Sequence, residues 1–230
     1  MVRPKGFGFN EETADSNSFQ NKLDNIDVLK NAQNEFDSMV GLLQSKNIEV
    51  KIFEDKTDNH PDSIFPNNWI SHTANKLILY PMLTENRRGE VREDVADYFE
   101  KVLNVDGKID LTNEIKINRF LEGTGSIIFD HLNKLALVCV SPRSNLKLLN
   151  HLCELIDYTS VSFESVDLKG DQIYHTNVML TLADSFAIVC LESIPDLLER
   201  SLLKRTIEKT GRKIIDITYQ QMNAFAANAL

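Results

Sequence analysis

The chain carries one plan three times, and that repeat constrains its fold more than any other feature. The segments are FPNNWISHTANKLILYPM from Phe65, FLEGTGSIIFDHLNKLALVCVSP from Phe120 and IYHTNVMLTLADSFAIVCLES from Ile173. Each opens with a short polar cluster and continues into an expected strand. A turn rich in Asn, Asp, Lys or Ser follows, then a strongly apolar second strand (KLILYPM, LALVCV, SFAIVCLES). An amphipathic helix is predicted after each hairpin. The first covers 89–103, with Val91, Val95, Tyr98, Phe99 and Val102 spaced by threes and fours. The second covers 144–156, with Ser144 or Asn145 as N-cap. The third starts at Pro195 and stops at Gly211. Each helix leads to another strand (KIDLT, SVSFESV, KIIDIT). An earlier helix over 28–46, followed by IEVKIF, supplies the rear half of a preceding unit.

A strand–strand–helix–strand unit therefore recurs with a period of roughly 50 to 58 residues. Asn68, Glu122 and His175 mark equivalent polar clusters, 54 and 53 residues apart. A unit that cannot bury its own hydrophobic face stacks on its copies around a shared core. Radial stacking would gather the polar clusters at one end of the central axis. A duplicated α/β sandwich would give a similar pattern.

Composition excludes several classes. The net charge of -9 is spread along the chain, whereas nucleic-acid binding needs a concentrated Lys/Arg surface. No run approaches the roughly 18 apolar residues that span a bilayer. The start, MVRPKGFGFN, has no apolar signal region. Cys139, Cys153 and Cys190 each sit in an apolar stretch with no CxxC spacing. They read as reduced, structural thiols of a cytoplasmic protein, with neither a zinc site nor a disulfide framework.

The polar clusters hold the candidate site. A lone histidine is more often structural than catalytic, and a carboxylate before a Gly-rich turn is often only a loop residue. The shared register is what lifts Glu122 and His175 above those readings. A Glu and a His on converging strand ends form an acid/base pair, with the carboxylate orienting the imidazole. Gly123, after Glu122, permits a sharp turn and close backbone approach. Asn67 and Asn68 after Pro66 also suit turn chemistry. Arg87 and Arg143 each follow the apolar strand of their unit, and an arginine fork binds carboxylates at two points.

At these clusters the sequence resembles the pentein superfamily, the five-bladed α/β-propellers that include arginine deiminase, dimethylargininase and glycine amidinotransferase. It is most similar to the amidinotransferase or citrulline-utilisation hydrolase group. The resemblance rests on FPNNW, LYPM with NRR, LEGTGS, SPR, YHTNVM, VCLES and the FAANAL end, and covers nearly the whole chain. It implies one α/β-propeller domain over residues 1–230, built of ββαβ units, with about four of five blades present. It implies Glu122 and His175 as the catalytic carboxylate and histidine. Asn67, Asn68, Asn177, Gly123, Arg87 and Arg143 would be substrate-binding, with the two arginines on a substrate α-carboxylate. Where arginine deiminases place two aspartates against a guanidinium, this chain has Asn68 and Asn177. Two carboxamides offer donors and acceptors to a neutral group. The implied substrate is thus a ureido amino acid, citrulline giving ornithine, in preference to arginine, with amidinotransfer as a further family activity. No metal or organic cofactor is implied.

The family's nucleophilic cysteine lies in a Gly-rich segment near the C-terminus, and no such segment occurs here. The expectation is therefore a chain truncated before the fifth blade, a pseudoenzyme that binds a small molecule or a protein, or a chain completed by a partner. An open propeller would expose sheet edges and invite a homo-oligomer. LEGTGS lacks both the GxGxxG fingerprint and the P-loop lysine, which argues against nucleotide binding.

Overall fold

Each strongly apolar segment becomes the central strand of its own three-stranded sheet. The computed structural model describes residues 1–14, 16–17, 19–20, 22 and 27–229. Leu230, the last residue of the FAANAL stretch, lies outside the described residues. The chain divides into two compact units, one of residues 1–66 and 84–103 and the other of residues 67–83 and 104–230.

In the first unit, β1 (Val2–Arg3), α1 (Glu11–Ala14) and α2 (Val28–Ser45) lead to β2 (Phe53–Glu54). Strand β2 runs parallel to β1, with Val2 opposite Phe53. Asp27 caps α2 by accepting a hydrogen bond from the Lys30 N–H at 3.0 Å. The expected strand IEVKIF shrinks to its last residue plus Glu54. Only Val2 opposite Phe53 and Arg3 opposite Glu54 are paired, so residues 48–52 have no strand beside them among the described residues. Two helices complete this unit, α3 (Glu85–Arg88) and α4 (Glu93–Leu103). The helix expected over 89–103 thus begins four residues late. Glu90 instead accepts two-point hydrogen bonds from the buried Arg87, and Arg92 is drawn to Asp94 and the Glu54 carbonyl. Phe53 and Tyr98 meet edge to face, with ring centroids 5.3 Å apart.

The second unit contains three sheets of one design. The strands are β3 (Ile70–Thr73), β4 (Lys76–Leu79) and β5 (Gly107–Asp110); β6 (Ile128–Asp130), β7 (Leu135–Val140) and β8 (Thr159–Glu164); β9 (Leu180–Leu182), β10 (Phe186–Val189) and β11 (Lys213–Asp216). In every sheet the first two strands form an antiparallel hairpin, and the third returns parallel to the second. A parallel return needs a crossover. The chain makes it through α6 (Leu146–Ile156) in the second sheet and α7 (Leu197–Lys209) in the third. In the first sheet the intervening residues 84–103 belong to the other unit. Two short helices, α5 (Gly123–Ser126) and α8 (Tyr219–Asn223), also lie in this unit.

The expected ββαβ order is therefore present three times. Asn145 is the N-cap of α6, accepting from the Leu148 N–H at 3.0 Å. Asp196, after Pro195, caps α7. Central strands β4 and β7 and helix α6 build one core cluster that includes Ile78, Tyr80, Val138, Leu149 and Leu152. Each fully buried aliphatic side chain there contributes about 2 kcal/mol by leaving water. Asp130 on β6 receives the Arg212 guanidinium from the residue before β11, so one buried ion pair joins the second and third sheets. Among the described residues no helix is long and apolar enough to cross a membrane.

Candidate active site

Hydrogen bonding at the base of each hairpin sets the register of the polar clusters. Tyr80 N–H donates to the Trp69 carbonyl at 2.9 Å, and Cys190 N–H donates to the Met179 carbonyl at 3.0 Å. Cys139 and Ser126 are the equivalent pair of the middle hairpin. Counting back from Trp69, Ser126 and Met179 puts Glu122 and His175 at one position, as expected. The residue at that position in the first repeat is Phe65, and Asn68 instead shares the place of Gly125. The expected common register of Asn68 therefore fails. Loop lengths differ between repeats, so equal sequence intervals do not mark equal places in the sheets.

Glu122 and His175 come together. Nε2 of His175 lies 2.8 Å from Oε2 of Glu122, and both side chains are buried. The other carboxylate oxygen of Glu122, Oε1, accepts the Leu83 N–H at 3.0 Å. Arg143 places its guanidinium 3.4 Å from Oε2. A backbone dipole and a full positive charge thus complement the carboxylate in a water-poor setting, where such interactions are strong.

Local structure explains the placement. Glu122 precedes α5, whose first residue Gly123 has φ +39. A Cβ on Gly123 would fall 2.3 Å from the Asn67 carbonyl oxygen, so only glycine lets the two segments close up. Asn67 fixes the same approach by donating from Nδ2 to Thr124 Oγ1 at 3.2 Å. His175 precedes the 3₁₀ turn Thr176–Val178. The Tyr174 ring touches its imidazole, with centroids 4.6 Å apart, and the Arg143 guanidinium lies 4.6 Å from the same ring.

The remaining candidates are placed unequally. Asn68 is buried, and its Oδ1 would lie 3.1 Å from a Cβ on Gly125, a point itself 2.6 Å from His175 Nδ1. The Asn68 carboxamide and the imidazole therefore both face Gly125, and among the described residues the carboxamide has no hydrogen-bond partner. Asn177 is half-buried in the turn after His175, in register with Asn67 and Thr124. Arg143 stands on Glu122 and Tyr174. Arg87 lies in the first unit, held by Glu90 at 2.9 Å and bonded to the Asp62 carbonyl.

Sequence reasoning missed several contributors. Tyr174 and Thr176 flank His175 in YHTN, and Gly125 lies within LEGTGS, so adjacency was the available signal. The Leu83 N–H gave none. Among the described residues no group of three or more His, Cys, Asp or Glu is arranged to hold a metal.

All three cysteines are buried. Burial pushes the Cys139 thiol up to about 12, and Cys153 and Cys190 each up to about 11. Thiolate is the nucleophilic form, so none of the three is primed for attack. Cys139 is further engaged by the chain around His175, its Sγ donating to the Ile173 carbonyl at 3.3 Å.

A family model for eukaryotic N,N dimethylarginine dimethylhydrolase matches residues 3–230. The chain belongs to that family. Solved structures extend the likeness of this dimethylarginine dimethylhydrolase family member. The N-terminal domain of ArgZ, an arginine dihydrolase from Cyanobacteria, is 17% identical, with a TM-score of 0.74 over 100% of this chain and 79% of that one. AgrE, in a complex with L-arginine, is 20% identical with a TM-score of 0.75, and this chain spans only 32% of its length. Dimethylarginine dimethylaminohydrolase, as an adduct with S-methyl-L-thiocitrulline, is 15% identical with a TM-score of 0.66 over 99% of this chain and 78% of that one. No curated protein matches the chain closely enough to count as a relative. At such identities these likenesses bear on the fold, which is that of the pentein superfamily.

Proposed function

We propose that this chain supplies the acid–base and substrate-binding groups of a hydrolase acting at the guanidino or ureido carbon of an amino acid. The observation that carries the reading is the buried Glu122–His175 pair, 2.8 Å apart. In this reading a cysteine thiolate attacks the central carbon and forms a covalent thio-intermediate. His175 gives its proton to the departing amine, then takes one from the water that releases the intermediate and frees the thiol. Glu122 orients the imidazole and offsets its charge. Arg143 holds Glu122 in place, a role different from gripping the substrate's α-carboxylate.

Membership of a dimethylarginine hydrolase family and the L-arginine bound by AgrE favour a guanidino substrate. The carboxamide of Asn68, which faces Gly125 as His175 does, favours a neutral ureido group, and citrulline is the proposed preference. The three buried thiols leave the nucleophile to come from outside these 230 residues, either further along the polypeptide or on a partner chain. They also favour a second reading, a pentein-fold protein that binds such an amino acid without turning it over.

The test is calorimetric titration with citrulline, arginine and N,N-dimethylarginine, alongside an assay for released amine and ornithine. Binding with citrulline tightest is expected, and Asn68→Asp should reverse the preference toward arginine. Failure of all three ligands to bind at millimolar concentration sinks both readings. Turnover by the chain alone would return the nucleophile to its own cysteines.

A further inference from the structure

The middle hairpin departs from its two copies at one point. In the first and third hairpins the base of the ladder closes by a direct backbone bond, Tyr80 N–H to Trp69 carbonyl and Cys190 N–H to Met179 carbonyl. In the second, the Thr176 hydroxyl stands between the corresponding groups. Its Oγ1 donates to the Ser126 carbonyl at 2.5 Å and accepts from the Cys139 N–H at 2.8 Å. The paired ladder accordingly stops at Ile128 opposite Leu137, one pair sooner than Ile70 opposite Leu79 or Leu180 opposite Val189.

Thr176 is fully buried and follows His175 directly. On the other side of His175, the Tyr174 carbonyl accepts from Ser141 Oγ at 2.8 Å. Ser141 Oγ in turn accepts from the Arg143 N–H, and the Arg143 carbonyl accepts from the Glu122 N–H at 3.1 Å. The residues before and after His175 are thus both fastened by hydroxyls to the sheet that presents Glu122.

We infer that Thr176 is a positioning residue: its hydroxyl, wedged into the middle hairpin, sets the distance between His175 and Glu122. A hydroxyl satisfying one donor and one acceptor of a splayed hairpin fixes the segment in two directions, because each bond has a preferred line. A small misplacement of a catalytic group is costly, so this contact matters to the site although Thr176 need not touch a substrate. The inference rests on the Glu122–His175 pair proposed above as the acid–base couple.

The two plainer hairpins supply the discriminating variant. In Thr176→Ala the Ser126 carbonyl and the Cys139 N–H can close on each other, as their counterparts do, so the fold survives while the His175 segment loses its anchor. The measurement is the hydrogen-bonded imidazole N–H resonance of His175 in proton and nitrogen NMR, assigned by its absence in His175→Asn. Thermal unfolding is followed in parallel. The expected result is a cooperative T176A transition with that resonance lost or moved, and a resonance retained in T176S, which keeps the hydroxyl. An unchanged resonance in T176A, its loss in T176S, or a T176A chain that does not fold would each overturn the proposal. The readout needs neither ligand nor turnover. Absence of ligand binding with the NMR result intact would reject the proposed function and leave the positioning role standing.

Discussion

A Cβ built on Gly125 lies 2.6 Å from Nδ1 of His175, so the imidazole occupies space that only a glycine leaves open. Gly125 carries no left-handed backbone requirement. Replacing it is therefore a steric experiment on the site. Gly125→Ala should displace the imidazole from Glu122 at an overpacking cost of about 1–3 kcal/mol. The fold should persist, because the obstructing atoms belong to a side chain that can turn away. Denaturant unfolding and the His175 imidazole resonance check this. An unmoved resonance would mean that the turn of α5, and not the ring, gives way.

Glu122 is the shared acceptor of His175, Arg143 and the Leu83 N–H. Removing one partner of a buried ion pair costs far more than an exposed pair is worth. Glu122→Gln should destabilise the second unit by about 3 kcal/mol, whereas an exposed control such as Glu154→Gln should change stability by less than about 0.5 kcal/mol. Urea midpoints of the two variants decide it. Equal midpoints would show that Glu122 is not held as a charged group.

The three thiols should resist modification. With all of them raised by burial, an aromatic disulfide reagent at neutral pH should label none in the native chain and three after denaturation. The same shifts give an alkaline limit. The buried thiols favour folding fully below their ordinary value of 9.0, and this contribution drains as pH rises from there toward about 11 to 12. Rapid labelling of one cysteine under native conditions would identify a reactive thiol and revise the reading of all three.

Asp130 gives the acid limit. Burial pushes its carboxyl up, but hydrogen bonds from Arg212 and Asn133 more than offset this and hold it below the ordinary range. A depressed carboxyl stabilises the fold fully above its ordinary 3.8, and the contribution is lost as pH falls through the folded value. Arg212→Ala should cost about 3 kcal/mol at neutral pH and flatten the acid-side loss of stability. The double change Asp130→Leu with Arg212→Leu should recover most of that cost. A double variant as weak as R212A alone would show that shape, not charge, limits the joint between the two sheets.

Much of the fold was legible in the chain itself. The apolar runs KLILY, LALVCV and FAIV are continuous because strands β4, β7 and β10 are paired on both edges and largely buried. Asn145 was readable as a helix start because capping is a local interaction of neighbouring residues, whereas the helix expected from Pro195 begins only at Leu197, after the Asp196 cap. The helix expected over 89–103 is present only from Glu93 onward, since its first turn is taken over by the Arg87–Glu90 pair and by Arg92, contacts that spacing does not report.

The sequence by itself determined the three ββαβ units, because periodicity and caps act within a few residues, and the shared register brought Glu122 and His175 forward as candidates. Only the tertiary structure decided that Asn68 shares the place of Gly125, that Arg143 stands on Glu122 and Tyr174, and that Thr176 is wedged into a neighbouring hairpin. Each of these depends on segments tens of residues apart. Its geometry depends on how loops of unequal length bring the sheets together, and no interval counted along the chain contains that information.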